Sequence, residues 1–308
     1  MRIIQSFWSK PMLSSVGMKG SGRFQGGWLD TEYYLMSWAY SCLKLKEYYS
    51  DIELYTDEFG KALLIDKLHL PYSKVHVVLD VLNDYDADLW ALGKVFTYGL
   101  QKEPFIHVDS DIYIWKKFSS QIENADLIAQ NIEFDYQYYR NIKKELHGLD
   151  FYIPEIIPGF KDLDTCLHAY NMGITGGNNF EFFRSYAKSA IDFVLKNQHT
   201  FGSINVGKFN VVYEQSLFYY LAEELKIEVK CFTDLRIPAE IDLLIKSFDN
   251  FDSAPLNTVY IHLYGEDCKR NMQFCDKLSE QLKAAYPDFH QLILEVSEKE
   301  KNLLWESL

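Results

Sequence analysis

The sequence of 308 residues lacks the cysteine pattern of a disulfide-stabilised or zinc-binding protein. Its five cysteines are odd in number and scattered, and no two of them form a Cys-x-x-Cys pair. A disulfide framework normally needs an even count, and most cysteine-rich zinc sites need closely spaced pairs. We therefore expect reduced and mostly buried thiols, as in a cytosolic protein.

The sequence also lacks a long hydrophobic run. No stretch approaches the roughly 18 uncharged apolar residues that a membrane-spanning helix needs. The first segment, MRIIQSFWSKPML, has no apolar core that leads into a small-residue cleavage site. We find no internal repeat, no linker and no low-complexity tract. These features predict a cytoplasmic protein without a transmembrane segment.

Positive charge is scarce, since 31 lysines and arginines face 44 aspartates and glutamates, which gives a net charge of −13. Such a charge repels nucleic acid and anionic membrane surfaces, so we expect neither as a partner. An anionic substrate would need a local cation or a metal ion. The Gly-rich stretch KGSGRFQGGW does not supply a phosphate site of the P-loop kind, because it lacks the G-x-x-x-x-G-K-[ST] pattern.

Apolar runs of strand length alternate with segments of helical periodicity. Strands are predicted at 2–7, 52–55, 75–79, 104–108, 126–130, 170–177, 228–232 and 258–262. Helices are predicted at 31–49, 58–68, 88–101, 180–197, 212–225 and 268–286. The Tyr-rich, Pro-containing segment 131–165 interrupts the pattern and is interpreted as an insertion. Alternating strands and helices predict an α/β fold with a mostly parallel sheet.

Two aspartates, Asp109 and Asp111, directly follow the buried-strand pattern PFIHV. In extended backbone the side chains at i and i+2 point the same way, and open α/β sheets bind ligands at the carboxyl ends of their strands. Neighbouring carboxylates repel each other unless a cation lies between them, and their oxygens suit Mg²⁺ or Mn²⁺. The dyad therefore predicts a metal site that holds substrate phosphates. An Asp-x-Asp turn that merely ends a strand is the structural alternative.

With three further segments, the dyad resembles the GT-A glycosyltransferases, in particular the retaining glycogenin-like and capsular-polysaccharide hexosyltransferases. These segments are WALGKVFTYGL, YNMGITGGNN and VYIHLYGEDCKR. The resemblance implies a GT-A-like, Rossmann-type mixed sheet, mostly parallel, with helices on both faces. It also implies a single large domain over 1–308 with an insertion. Residues 1–130 would then bind the nucleotide sugar and residues 131–308 the acceptor.

The resemblance further implies roles for single residues. The metal ligands would be Asp109, Asp111 and His262. The loop after the first strand, with the Gly26-Gly27-Trp28 turn, would contact the base and ribose; a flexible surface loop is the alternative. Lys269 follows His262 by seven residues, whereas the glycogenin-like branch has its lysine six residues after the histidine. The residues expected to bind the nucleotide sugar are Ser6, Phe7, Lys94, Asp109, Ser110, Asp111, Asn171, Gly173 and Lys269.

Glu214 is followed by Gln215 at the predicted start of a helix. Acidic residues stabilise helix N-termini, which is a purely structural explanation. In GT-A enzymes, however, an acidic residue at such a place often faces the acceptor or the reacting sugar. By resemblance, Glu214 joins Asp109 and Asp111 as a catalytic candidate, for acceptor contact or as general base. Three tyrosines of the insertion could stack on an acceptor or fill the core: Tyr136, Tyr138 and Tyr139.

The expected function is metal-dependent transfer of a hexose from a UDP-sugar to a saccharide or other hydroxyl acceptor, with Mn²⁺ or Mg²⁺ as cofactor. One alternative is a glycosyltransferase-like sugar-binding protein without activity. Another is a phosphohydrolase of the haloacid-dehalogenase pattern, in which the dyad follows an early strand and precedes a threonine. Here the dyad lies past residue 100 and precedes Ile112-Tyr113, which disfavours that alternative.

Overall fold

A computed structural model describes residues 1–14, 24–134, 136–157, 166–232 and 258–303. Its strands are β1 (Arg2–Phe7), β2 (Ile52–Thr56), β3 (Lys74–Val77), β4 (Phe105–Val108), β5 (Ile112–Ile114), β6 (Leu127–Glu133), β7 (Ala169–Gly177), β8 (Val229–Cys231) and β9 (Tyr260–His262). Its α-helices are α1 (Lys10–Leu13), α2 (Thr31–Tyr48), α3 (Glu58–Lys61), α4 (Leu92–Gly99), α5 (Ser120–Glu123), α6 (Gln137–Leu146), α7 (Phe180–Asn197), α8 (Val206–Val211), α9 (Leu217–Glu224), α10 (Glu266–Lys269), α11 (Met272–Ala285) and α12 (Pro287–Leu303).

Seven of the described strands form one sheet in the order β3-β2-β1-β4-β7-β6-β8. β2 runs parallel to β1 and β3, and β8 runs parallel to β6, whereas β7 is antiparallel to both β4 and β6. The other two strands, β5 and β9, form a small antiparallel sheet. The predicted fold class is confirmed: this is a mixed α/β architecture with a mostly parallel sheet flanked by helices, as expected for a GT-A-like fold.

The described chain divides into two compact units that are interleaved in sequence. The first unit contains residues 1–2 and 84–108 and the described part of 118–232. The second unit contains the described part of 3–83, then 109–117 and 258–303. Among the described residues, no helix is long and apolar enough to cross a membrane.

The core of the second unit is built around α2. Twelve consecutive residues of this helix, from Tyr34 to Leu45, are buried, and all of them except Lys44 have aromatic, aliphatic or small side chains. Trp38 makes an edge-on contact with Phe7 of β1 at a centroid distance of 5.2 Å. Leu278 and Leu282 of α11 belong to the same apolar cluster. This packing fixes α2 next to the first strands of the sheet.

The core of the first unit is rich in aromatic rings, which accounts for part of the high aromatic content of the sequence. Phe183 of α7 lies edge-on to Phe105 of β4, with ring centroids 4.9 Å apart. Tyr186 and Phe218 form a similar edge-on pair at 5.5 Å. Edge-to-face pairs of this kind add stabilisation beyond the apolar area that they bury.

Two glycines at the end of β7 allow the sheet to form. A β-carbon on Gly176 would lie 2.2 Å from the carbonyl oxygen of Phe105 in β4, and one on Gly177 would lie 2.1 Å from that of Asp126. Both residues also have positive φ, 143° and 137°, a conformation that favours glycine. The space left by the missing side chains is therefore filled by neighbouring backbone.

Candidate functional site

The Asp109–Asp111 dyad lies between two strands. β4 is fully buried and ends at Val108, and after the dyad the chain continues as β5. β9 pairs with β5 so that His262 lies opposite Ile112. The backbone N–H of Leu263 also donates to the carbonyl of Asp111 at 2.9 Å. The short antiparallel sheet thus brings His262 to the side of the dyad, although the two are distant in sequence.

Asp109, Asp111 and His262 form a group that could hold a metal ion. One ligand atom from each of them lies within 4.8 Å of the other two. The imidazole Nε2 of His262 is 3.3 Å from Oδ1 of Asp111. The expected convergence of these three residues is thus observed, within the second unit.

Lys269 also joins this group. Its ammonium lies 2.7 Å from Oδ2 of Asp111 and donates to the carbonyl of Gly26 at 3.2 Å. The spacing of seven residues after His262, which differs from the glycogenin-like pattern, does not prevent the lysine from reaching the dyad. The hydrogen bond to Gly26 also places the Gly26-Gly27 turn in contact with Lys269.

The carboxyl group of Asp111 is held in its charged form by its neighbours. Burial alone would raise its pKa, because Asp111 is only 8% exposed. The positive charge of Lys269, together with the interaction with His262, outweighs burial and keeps the pKa of Asp111 well below its ordinary value. Asp111 is therefore anionic at neutral pH, which is the form that binds a cation.

The donor set fits a divalent cation. Carboxylate oxygens are preferred ligands of Mg²⁺ and Mn²⁺, and an imidazole nitrogen is a common ligand of divalent first-row metals. Neighbouring ligands about 2.1 Å from an octahedral ion lie roughly 3 Å apart. The 3.3 Å separation between Asp111 and His262 is close to that value. Three donors, two from the turn between β4 and β5 and one from β9, would leave further positions of the ion open for a ligand.

A second group of predicted residues lies in the first unit. The ammonium of Lys94, on α4, is 2.8 Å from Oε1 of Glu214 and donates to the carbonyl of Met172 at 3.3 Å. Glu214 is fully buried, and 12% of the Lys94 side chain is exposed. The two residues, chosen separately from the sequence, are thus an ion pair.

The helical environment of Glu214 differs from the prediction. The chain is already helical from Val206, and Glu214 lies in a π-helical turn, Val212–Ser216, that connects α8 to α9. Stabilisation of a helix N-terminus therefore does not explain this acid. A π-helical turn interrupts the regular hydrogen-bond ladder and is frequent at functional sites. Here it coincides with the buried Glu214 carboxylate.

Asn171 belongs to a buried hydrogen-bond network in the first unit. Its amide oxygen accepts from the backbone N–H of Gly173 at 3.0 Å, and its amide nitrogen donates to Glu133 at 3.1 Å. The other carboxylate oxygen of Glu133 accepts a short hydrogen bond from Tyr139, whose hydroxyl also lies 2.7 Å from Gln215. Asn171, Glu133, Tyr139 and Gln215 form one connected network.

Burial and the nearby Glu133 carboxylate both raise the pKa of Tyr139 well above its ordinary value. The Tyr139 hydroxyl therefore keeps its proton and acts as a donor. Glu133 was not identified from the sequence, because it fell in the segment 131–165 that was interpreted as an insertion, whereas the structure extends β6 to Glu133. Tyr139 was one of three tyrosines considered for stacking or for the core, and the structure places it in this network.

The remaining residues that were predicted to contact the nucleotide sugar differ in how exposed they are. Phe7 is only 4% exposed and lies among the rings of α2, while its carbonyl accepts from Thr56 at 2.8 Å. Ser6 is half-buried on β1, opposite Tyr55 of β2. Ser110 is half-buried between the two aspartates. Their roles in nucleotide binding stay predictions.

The predicted residues thus fall into two groups, one in each unit. The second unit holds Ser6, Phe7, Asp109, Ser110, Asp111, His262 and Lys269. The first unit holds Lys94, Asn171, Gly173 and Glu214.

Comparison with known proteins gives similar solved structures and a matching family model. The crystal structure of the glycosyltransferase GlyE of Streptococcus pneumoniae TIGR4 matches with 11% sequence identity and a TM-score of 0.43. The match covers 97% of this chain but 64% of the GlyE chain, so this chain spans less than two thirds of that structure. The fold class given above rests on the strand order of this chain.

No curated protein matches the sequence. A family model described as a family of unknown function, DUF6734, matches residues 1–296, which is nearly the whole chain. The chain therefore belongs to the DUF6734 family.

Proposed function

We propose that this protein is a metal-dependent glycosyltransferase that moves a hexose from a UDP-sugar to a saccharide or another hydroxyl acceptor. The observation that carries the proposal is the grouping of Asp109, Asp111 and His262 within 4.8 Å. The grouping of a dyad that directly follows a strand with a histidine distant in sequence supports the site that the resemblance to GT-A enzymes implies. A structural Asp-x-Asp turn gives no reason for an imidazole to be 3.3 Å from its second carboxylate.

Asp109, Asp111 and His262 would hold Mn²⁺ or Mg²⁺. When bound, such an ion supplies positive charge that stabilises a diphosphate leaving group. Lys269 carries its ammonium 2.7 Å from Asp111 and adds positive charge at the same place. We propose that Lys269 contacts the phosphates and that the four residues together bind the diphosphate of the donor.

Further residues would act on the sugar and the acceptor. We propose that Glu214 contacts the acceptor hydroxyl or takes its proton, and that Lys94 provides the countercharge that allows this carboxylate to be buried. Asn171 and Gly173 would bind the donor sugar. In this proposal Glu133 and Tyr139 hold the Asn171 amide in one orientation through their hydrogen bonds.

The proposal predicts that UDP binding requires both the metal and Asp111. The variant Asp111→Asn keeps the shape of the side chain and removes its charge. Residues that merely orient a metal ligand contribute roughly 10–100-fold to metal affinity, so losing a ligand should weaken Mn²⁺-dependent UDP binding by at least about 100-fold. Isothermal titration calorimetry of UDP with and without Mn²⁺ measures the effect.

The matched control is Asp267→Asn, which makes the same chemical change at an exposed position of α10. This control should bind UDP and Mn²⁺ like the wild type. Equal UDP–Mn²⁺ affinity of Asp111→Asn and the wild type would refute the proposed metal site.

Donor turnover distinguishes the proposal from its two alternatives. Incubation with UDP-glucose or UDP-galactose and Mn²⁺ should release UDP. Binding of UDP–Mn²⁺ without any release from either donor would instead favour a sugar-binding protein without activity. Hydrolysis of p-nitrophenyl phosphate that depends on Asp109 would favour a phosphohydrolase, in which the first aspartate is the phosphoryl acceptor.

A further inference from the structure

The turn that carries the dyad is tied to helix α2 through its backbone. The hydroxyl of Ser41 donates to the carbonyl of Asp109 at 3.3 Å, and the hydroxyl of Ser37 donates to the carbonyl of Ser110 at 2.8 Å. The carbonyl of Asp111 accepts from the N–H of Leu263. Three consecutive carbonyls of the turn are thus each held by a donor from another part of the second unit.

Ser37 and Ser41 are arranged for this task by the helix. They are four residues apart, so they lie on the same face of α2, and both are fully buried. A serine inside a helix often turns its hydroxyl back to a carbonyl of its own helix, one turn earlier. These two hydroxyls point instead to the turn between β4 and β5.

The second neighbour of the Ser37 hydroxyl, Tyr113, determines which acceptor receives the hydrogen of Ser37. The oxygen of Ser37 is 2.8 Å from the hydroxyl of Tyr113, a fully buried residue of β5. A serine hydroxyl has one hydrogen, and that of Ser37 goes to the carbonyl of Ser110. Tyr113 must therefore donate to Ser37, which leaves no competing acceptor for the hydrogen.

Ser41 is supported by a similar chain. The side-chain amide of Gln5, on β1, donates to the Ser41 hydroxyl at 3.0 Å. The amide oxygen of Gln5 accepts from the hydroxyl of Tyr72 at 2.7 Å. Donation thus runs from Tyr72 through Gln5 and Ser41 to the carbonyl of Asp109. Every step is between polar groups in a region with little solvent, where such bonds are strong.

We propose that Ser37 and Ser41 are positioning residues for the metal site, an inference that rests on the proposed function. They touch neither the metal nor a substrate; they fix the backbone from which the Asp109 and Asp111 carboxylates project. Metal ligands must be held to within about 0.5 Å of their binding geometry. A turn without these hydrogen bonds would not achieve this, because its two carboxylates repel each other. The proposal concerns metal affinity and not merely stability.

The test compares Mn²⁺ affinity and stability in Ser37→Ala and Ser41→Ala. Each variant should bind Mn²⁺ about tenfold more weakly than the wild type, at the lower end of the range for groups that orient metal ligands. The control is Ser297→Ala in α12, another buried helical serine, whose hydroxyl donates to the carbonyl of Leu294 at 3.0 Å. The control should lose stability without any change in Mn²⁺ affinity. Calorimetry and the Mn²⁺ electron paramagnetic resonance signal report binding, and urea denaturation reports stability.

If both alanine variants fold and bind Mn²⁺ with wild-type affinity, the inference is wrong and the serines are structural. If the alanine variants do not fold, Tyr113→Phe supplies the answer, because it deletes one oxygen atom and with it the donor that orients the Ser37 hydroxyl. We expect about threefold weaker Mn²⁺ binding for Tyr113→Phe, within the range of modest hydrogen-bond contributions. Unchanged affinity would then overturn the inference.

The proposed function can fail separately. If the wild-type protein does not bind Mn²⁺, the proposed metal site itself is wrong. If the wild type binds Mn²⁺ and Asp111→Asn does not, the site is correct, and only the affinities of the serine variants decide the inference.

Discussion

Lys94 and Glu214 bring opposite charges into the interior of the first unit, with 2.8 Å between the ammonium and the carboxylate. Taking a charge out of water is unfavourable unless a partner compensates it, so each residue depends on the other. Both residues were candidates from the sequence, but no local pattern predicted that they would pair with each other. Lys94 was selected for its place before the dyad and Glu214 for its place before Gln215, and only the folded chain brings them together.

Lys94→Met should lower the free energy of unfolding by about 3–5 kcal/mol, because it leaves the buried Glu214 carboxylate without this countercharge. The double variant Lys94→Met/Glu214→Gln should recover most of that loss, since it removes the buried charge as well. Chemical denaturation of the wild type, both single variants and the double variant forms a complete cycle. Additive losses would show that the pair is not energetically coupled.

The dyad itself was predictable because its signal is local. Two acids separated by one residue after an apolar strand need no knowledge of the rest of the chain. The position of Lys269 was harder, since its spacing from His262 departs from the glycogenin-like pattern. The structure shows that the fold tolerates one extra residue there, because α10 brings the ammonium back to Asp111.

At the scale of elements, β7 shows that a sequence pattern can predict a strand without giving the reason for each of its residues. The strand was predicted at 170–177 and is observed as Ala169–Gly177. In the sequence, its final glycines are compatible with a turn or with a place where a sugar approaches the backbone. The nearby carbonyls of Phe105 and Asp126 give a third reason, which is the close approach of β4 and the chain before β6.

Gly177→Ala should therefore destabilise the protein by roughly 3 kcal/mol or more, because the β-carbon would meet backbone 2.1 Å away and the residue would be strained at positive φ. The matched control is Gly202→Ala, where an added β-carbon has no atom within 4 Å among the described residues. Urea denaturation of both variants measures the difference. Equal stability of the two variants would contradict the steric explanation.

Two elements were missed for physical reasons. β5 has only three residues and directly follows the dyad, so it looked like part of a turn. The closing helix was predicted at 268–286, whereas the chain forms α11 over most of that range, α10 at its start, and a further helix, α12, after it. Asn271 begins α11 by accepting from the N–H of Gln273, and Pro287 begins α12. Asparagine caps and N-terminal prolines are recognisable signals, but apolar periodicity hid the break before α11, and α12 was not predicted.

At the scale of the whole molecule, the fold class was predictable because strand and helix patterns alternate along the chain. The grouping into units was not. The resemblance to GT-A enzymes implied a donor half up to residue 130 and an acceptor half after it, which stays a prediction. The compact units of the structure interleave, and the second unit contains residues from near both ends of the chain. Which distant segments group into one unit depends on which apolar faces pack against each other. The periodicity of the sequence does not specify these contacts.

The net charge of −13 also acts on the whole molecule. It opposes the approach of a nucleoside diphosphate, so UDP alone should leave the melting temperature unchanged. UDP with Mn²⁺ should raise it, since a ligand at about 100 times its Kd stabilises the folded state by about 2.7 kcal/mol. Thermal denaturation with UDP, with Mn²⁺ and with both distinguishes these cases. A full shift with UDP in the presence of a metal chelator would contradict the role given to the metal.

The small sheet of β5 and β9 has one consequence for how the site would work. It contains three residues on each strand, and it is what brings His262 to Asp111. A sheet this short has little stability of its own. The sheet and the group of metal ligands therefore form and separate together. Each time the two strands come apart, His262 also moves away from Asp111. The amide hydrogens of Leu263 and Trp115, which close this sheet through Asp111 and Val259, would report the occupancy of the site through their rate of exchange with solvent.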